Sequence, residues 1–251
     1  MASKTRSGIE ASQLILTVSL VVFLAGCAAP EPPPSSAQTG VVDAVVPVVV
    51  TEKSAVDTDD PAIWINPDDP SKSLILGTDK GGSVFVFDLE GKIIPEKVVS
   101  GMGRMNNIDV AYGFPLGGDT IDIALATDRN EEKIRAFRLP DMTPIDNGGI
   151  PTFVGETDDR RAMGLAIYTR PSDGAFFAIV SRKFGESGSY LWQYLLEDGG
   201  DGAIKATKVR AFGEFIGGKE IEAVAVDNEL GYVYYSDETA GVHKYLADPD
   251  A

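Results

Sequence analysis

The sequence predicts an all-β fold of the propeller type, and three features predict it. One alternating segment occurs four times: Val84–Leu89, Ile134–Leu139, Leu191–Leu196 and Val242–Ala247. The segments start 50, 57 and 51 residues apart. Each follows the same two shorter apolar runs and the same kind of turn-forming stretch. Recurrence of one strand order at about this period is the signature of propeller blades.

Within each segment, β-branched and aromatic residues alternate at period two, which describes a strand with one buried face. The preceding strands are Leu74–Thr78, Ile121–Thr127, Phe176–Ser181 and Tyr232–Ser236. Before these come the short apolar runs Ala62–Ile65, Ile108–Ala111, Gly164–Tyr168 and Ala223–Val226. Turns such as Asn66-Pro67-Asp68-Asp69-Pro70 and Pro171-Ser172-Asp173-Gly174 separate them. A two-sheet sandwich is the alternative, but it does not require one strand order to recur four times. No long segment carries a helical period. Four blades can close a ring, at the lower end of the usual range.

The N-terminal region is of another kind. Lys4 and Arg6 precede the 11-residue apolar run Leu14–Leu24. That run is short for a bilayer span and suits a signal-peptide core. It leads into Leu24-Ala25-Gly26-Cys27, which resembles a bacterial lipobox. The expected division is therefore a lipoprotein signal peptide over 1–26, a Pro/Ser-rich tether over 27–45 and a propeller domain over 46–251. Cys27 is the expected lipidation site, and simple secretory cleavage nearby is the alternative. The expected location is the bacterial cell envelope, at the outer membrane or cell surface, with membrane contact only through the lipid. Val41–Val50 is a candidate strand to pair with the last blade.

The chain carries 22 basic and 38 acidic residues, for a formal net charge of -16. Such a field repels nucleic acid and anionic membranes. One Cys and one His exclude an internal disulfide, a cysteine-based zinc site and a multi-histidine metal centre. The phosphatase signature of Cys, five residues and Arg is absent, as are G-x-S-x-G and a P-loop. His243 lies inside an alternating strand and reads as structural. Metal-activated water is the hydrolytic chemistry that remains. The carboxylate run Asp57-Thr58-Asp59-Asp60 offers oxygen ligands to Ca²⁺ or Mg²⁺, or serves as a turn and cap.

Aligning the repeats gives a candidate site. The second strands end in Thr78-Asp79-Lys80, Thr127-Asp128-Arg129, Ser181-Arg182-Lys183 and Ser236-Asp237-Glu238. Equivalent positions of successive blades lie at one end of the channel. Lys80, Arg129, Lys183 and Glu238 are thus expected at one mouth, where three cations suit an anion such as phosphate. Solvated turn charges are the plain alternative.

Several separated motifs resemble the β-propeller phytases. They are Asp59-Asp60-Pro61-Ala62-Ile63-Trp64 with Asn66-Pro67, Asn106-Asn107-Ile108-Asp109, Ile121-Asp122-Ile123-Ala124, Lys208-Val209-Arg210-Ala211-Phe212 and Ile221-Glu222-Ala223, in order over about residues 54–250. The resemblance implies a six-bladed propeller of which about four blades lie in this chain. It also implies calcium-dependent hydrolysis of phytate, the hexakisphosphate of myo-inositol. By position, Lys80, Arg129 and Lys183 match phosphate-holding residues. Glu222 and Glu238 match acidic residues of the calcium-lined active site. Asp60 and the backbone carbonyls of Pro61 and Ile108 match a structural calcium site. Inositol phosphates are the implied partners, Ca²⁺ the cofactor and a monomer the expected state. Met163 stands where the family has a phosphate-contacting Tyr, with Arg160 and Arg161 as candidate substitutes. The family's remaining calcium ligands lie in blades five and six, beyond the residues matched here. A cell-surface binding module for anionic ligands, or an inactive phytase fragment, is the alternative to an enzyme.

Overall fold

Sixteen strands form four separate antiparallel sheets in the computed structural model, which describes residues 45–156 and 160–251. No α-helix occurs among them. The first sheet holds β1 (Thr58–Trp64), β2 (Leu74–Asp79), β3 (Ser83–Phe87) and β4 (Val99–Ser100). The second holds β5 (Met105–Leu116), β6 (Asp119–Asp128), β7 (Lys133–Leu139) and β8 (Thr143–Pro144), with β9 (Ile150–Pro151) also pairing with β7. The third holds β10 (Ala162–Thr169), β11 (Phe176–Arg182), β12 (Leu191–Asp198) and β13 (Ile204–Phe212). The fourth holds β14 (Ile221–Asp227), β15 (Tyr232–Asp237) and β16 (Gly241–Leu246). Within each sheet, strands pair in chain order. Four consecutive meander sheets are four propeller blades, so the fold expectation holds.

The recurring apolar runs form the inner strands β1, β5, β10 and β14. The longest alternating segments form the third strands. Several outer strands, β4, β8 and β9, are only two residues long, and periodicity does not reveal elements of that length. Val48, Val49 and Val50 belong to no strand and are exposed. The expectation that the Val-rich segment pairs with the last blade is therefore corrected for residues 45–50, and residues 41–44 lie outside the described residues. Instead the chain beyond it is hooked to the first blade, where the Glu52 N–H donates to the Gly91 carbonyl and its carboxylate accepts from the Ile93 N–H. A β-rich composition alone does not create a ladder when the paired edge lies elsewhere. The signal-peptide, lipobox and Cys27 expectations lie outside the described residues. Among the described residues, no helix is long and apolar enough to cross a membrane.

Three apolar clusters fill the three spaces between successive blades. Trp64, Leu76, Val84 and Val86 of the first blade meet Met105, Ile108 and Phe137 of the second. Phe114, Ile123, Leu125 and Ile134 meet Leu165, Ile167, Phe176 and Trp192 of the third. Tyr168, Phe177, Ile179 and Leu191 meet Ile221, Val233 and Tyr235 of the fourth. Each fully buried side chain of this size contributes about 1.5–3 kcal/mol before entropy is counted. Blade packing therefore follows from period-two alternation, which places one apolar row on each sheet face. Inner strands pack in the order β1 on β5, β5 on β10 and β10 on β14.

Candidate functional site at the channel mouth

Every inner strand breaks its register near its first residues. The shifts fall between Thr58 and Pro61, Met105 and Ile108, Ala162 and Leu165, and Ile221 and Val224. Each bulge frees a backbone N–H that a ladder would have used. In the first three blades the hydroxyl at the end of the second strand takes it up. Asp60 N–H donates to Thr78 at 3.0 Å, Asn107 N–H to Thr127 at 3.1 Å and Gly164 N–H to Ser181 at 2.8 Å.

The same hydroxyl then reaches the next blade. Thr78 donates to the Asn106 carbonyl, Thr127 to the Met163 carbonyl at 2.6 Å and Ser181 to the Ile221 carbonyl at 2.6 Å. All three are buried. They rivet three inner strands to their neighbours directly beneath the candidate mouth. Gly164 belongs to the third rivet. A Cβ there would stand 2.1 Å from the Glu222 carbonyl oxygen and 2.9 Å from the Ser181 hydroxyl. Only glycine permits that approach.

The middle residue of each triplet fastens the loops. Asp79 accepts from the N–H groups of Val56, Asp57 and Gly81, and Asp128 from those of Gly103 and Glu131. Asp237 accepts from those of Ile216 and Thr239. Burial raises the Asp79 carboxyl, but the Val56 N–H, the Ser54 side chain and further N–H groups outweigh it, so its pKa lies below the ordinary value. In the third blade Arg182 takes this place. It donates to the Ser189 carbonyl and pairs with Glu156 at 2.9 Å.

With two residues fastened, the third has one place to go. The N–H groups of Lys80, Arg129, Lys183 and Glu238 donate to the carbonyls of Asp57, Arg104, Arg160 and Glu220. Each acceptor sits just ahead of an inner strand, so the four residues occupy equivalent positions at the same end of their blades. Their side chains differ in state. Lys80 is paired with Asp57 at 2.7 Å and Asp59 at 2.9 Å, and Lys183 with Glu220. Arg129 is only 7% exposed, and its guanidinium has no hydrogen bond or ion pair among the described residues. Burial, then the neighbouring Arg104 charge, hold its pKa below the ordinary arginine value.

The acids converge. Asp59, Asp60, Asn107, Glu222, Ser236 and Glu238 line one cleft of about 250 Å³. Burial, followed by the charges of Asp59 and Glu222, raises the Asp60 carboxyl, against the opposing hydrogen bond from the Ile108 N–H. Asn106 donates to Glu222 at 3.0 Å, while its own buried Oδ1 has no partner. A second cleft of about 310 Å³ shares Asp60 and Asn107 and adds Pro61, Ile108 and Asp109. Burial pushes the Asp109 carboxyl up to about 6. Among the described residues, no three Asp, Glu, His or Cys side chains close around a single point at metal distance. The donor chemistry nonetheless fits a hard cation. It consists of clustered carboxylates, amide and backbone carbonyl oxygens, and one orphaned buried acceptor.

The structure thus brings Glu222, Glu238 and Asp60 to one cleft, and Asp60, Pro61 and Ile108 to its neighbour. Lys80 joins through Asp59. Lys183 borders a third cleft with Phe184, Phe215, Lys219 and Glu220. Met163 is fully buried and contributes its carbonyl to a rivet. Arg160 bonds Glu132 and the carbonyls of Phe153 and Glu156, so its guanidinium is already partnered. His243 stacks on Tyr235 in β16, as a structural residue would. Repeat alignment misses Asp59, Asn107, Asp109 and Arg104. The carboxylate run and the Asn-Asn-Ile-Asp motif signalled the first three, and nothing in the repeat signalled Arg104.

Comparison with known proteins identifies the family. The Phytase family model matches residues 12–251. A 3-phytase of Bacillus subtilis (strain 168) is 34% identical over 194 residues, covering 76% of this chain and 48% of that protein. The chain therefore spans about half the length of that relative. Among solved structures, the β-propeller domain of Myceliophteria thermophila Cps50 (Swd1) is 14% identical with a TM-score of 0.48, covering 76% of this chain and 54% of that one. The computationally designed protein Ika8 is 9% identical with a TM-score of 0.46, covering 79% and 48%. With a family model matched over nearly its whole length, and motifs that fold into one mouth, this chain belongs to the phytase family.

Proposed function

We propose that the mouth releases phosphate from phytate, with Ca²⁺ as the metal. One observation carries the reading: a carboxylate-lined cleft and a buried, unpaired arginine share the end of the channel at which the family motifs meet. Asp59, Asp60, Glu222 and Glu238 would hold the cation at the active cleft, and Asp60 with the Pro61 and Ile108 carbonyls would hold a structural one. Bound there, Ca²⁺ would supply charge neutralisation and an activated water. The acidic field of the chain concentrates the cations that a polyanionic substrate requires.

The protein's own residues do the rest. Arg129 receives a phosphoryl group without first breaking an ion pair. Lys80 and Lys183 are held by Asp57, Asp59 and Glu220, and they exchange those partners for substrate oxygens. Donors fixed before substrate arrives favour the more negative transition state, because little reorganisation accompanies the reaction. Glu238 is exposed on the rim of the cleft, where it would serve either as a cation ligand or, when not ligating, as the acid that gives a proton to the leaving oxygen. In the cell the protein would be secreted and held on the bacterial envelope by lipid on Cys27, with the mouth open to soluble inositol phosphates.

The test is phosphate release from phytate by the 251-residue chain, with Ca²⁺ and after chelation. Release that disappears on chelation and returns with Ca²⁺ is the expected result. Equal release in both conditions would remove calcium from the account, and release in neither would remove the activity.

A further inference from the structure

Arg129 is not the only uncommitted cation at the mouth. Arg104 lies immediately before β5, and its carbonyl accepts the Arg129 N–H at 2.8 Å. Its buried Nε also has no hydrogen-bond partner. Among the described residues these are the two arginines whose side chains have no partner. Arg135, Arg138, Arg160, Arg170 and Arg182 pair with carboxylates, and Arg210 bonds Gln193 and the Leu246 carbonyl.

Two arginines set opposite each other where β5 pairs with β6, one of them more than nine-tenths buried, are costly to keep without a counter-charge. A third cationic residue, Arg161, adds its charge from the next blade. Arg161 carries a backbone φ of 51°, in the left-handed region, and its carbonyl accepts the Lys183 N–H. Residues other than glycine rarely hold that conformation, and those that do gather at functional sites. Glu220 and Glu222 temper the field around Arg129 without pairing with it. Repulsion that these carboxylates offset without pairing leaves the two arginine forks open to an anion. Planar guanidinium forks match the oxygens of a phosphate group, which can take two at once.

We infer that Arg104 and Arg129 form a two-arginine subsite for a single phosphate group, with Arg161 on its rim. The inference rests on the phosphate-ester reading above for the identity of the ligand, and on the two unpartnered side chains for the site. Arg104 adds a donor that the repeat does not supply. The subsite differs from the positions of Lys80 and Lys183, whose charges are already matched by carboxylates.

The probe is inorganic phosphate, titrated into the full chain at low ionic strength with chelator present, so that no metal-bound phosphate contributes. Affinity is read by calorimetry, and the melting temperature is recorded with and without phosphate. Arg104→Gln is expected to weaken phosphate at least about tenfold. The melting temperature without phosphate should be unchanged or higher, because a like charge beside Arg129 is gone. Arg104→Lys restores part of the affinity. Arg160→Gln is the control, expected to lower the melting temperature and leave phosphate affinity intact. An affinity for phosphate that Arg104→Gln leaves within about twofold of the parent overturns the subsite, even if phytate is hydrolysed. Arg104-dependent phosphate binding in a chain that releases nothing from phytate upholds the subsite and removes only the proposed activity.

Discussion

The third and fourth blades are built from the same repeat yet sit in different surroundings. In β11 all seven residues are buried, because the sheet is covered on both faces. In β15 burial alternates, with Val233, Tyr235 and Asp237 buried and the residues between them half-exposed. The third blade's hydroxyl, Ser181, bonds the carbonyl of the next inner strand. Its counterpart Ser236 lines the acidic cleft and has no hydrogen-bond partner among the described residues. Val242 and Leu246 are correspondingly exposed on the open face. The comparison separates two roles of one motif. Its hydroxyl and acid build the ring, and its third residue furnishes the mouth. In the fourth blade the acid Asp237 still fastens its loops, while the Ser236 hydroxyl lines the cleft.

The largest way to break this comparison is Gly164→Ala. The added carbon collides with the Glu222 carbonyl, so about 3 kcal/mol of stability should be lost. Glu222 would move with β14, so thermal melting and metal response should fall together. Next is Thr127→Val, which strands the Asn107 N–H and the Met163 carbonyl in a buried place. A loss of about 2.5 kcal/mol is expected in urea titration.

Asp79→Asn is smaller, at about 1.5 kcal/mol near neutral pH, and its pH dependence sharpens the point. The Asp79 pKa is lowered in the folded state, so its contribution is present above the unfolded value near about 4. It is lost as pH falls through the lower folded value. Parent and variant stabilities should therefore converge in acid and separate above about pH 4. Curves that stay parallel throughout would remove the carboxylate's role. Ser236→Ala should cost less than about 0.5 kcal/mol. A loss as large as that of Thr127→Val would erase the difference between the riveted junctions and the fourth blade.

Much of this was legible in the sequence. The three inner strand types recur with visible alternation, and hydroxyl, fastener and mouth residue recur as a triplet. Asp60, Glu222 and Glu238 could be placed through motif resemblance, and the structure brings them to one cleft. Other features had no local signal. Outer strands of two residues have no period to detect. Ion pairs at Lys80 and Lys183 depend on loops that precede other strands, so three apparent cations became one unpaired arginine. Arg104 lies outside the triplet and comes beside Arg129 through the pairing of β5 with β6, which continues to the Arg129 N–H and the Arg104 carbonyl. Val48–Val50 has strand-like residues but pairs with no strand, because the chain just after it is tied to the first blade at Gly91 and Ile93.

The measurement that bears most directly on the account is phytate turnover by the Arg129→Gln variant in Ca²⁺, beside the parent chain. The substitution keeps a polar side chain and removes the buried charge, so folding should survive. The account predicts a fall in kcat/KM of about 100-fold with the melting temperature unchanged or raised. Turnover within about twofold of the parent would contradict it.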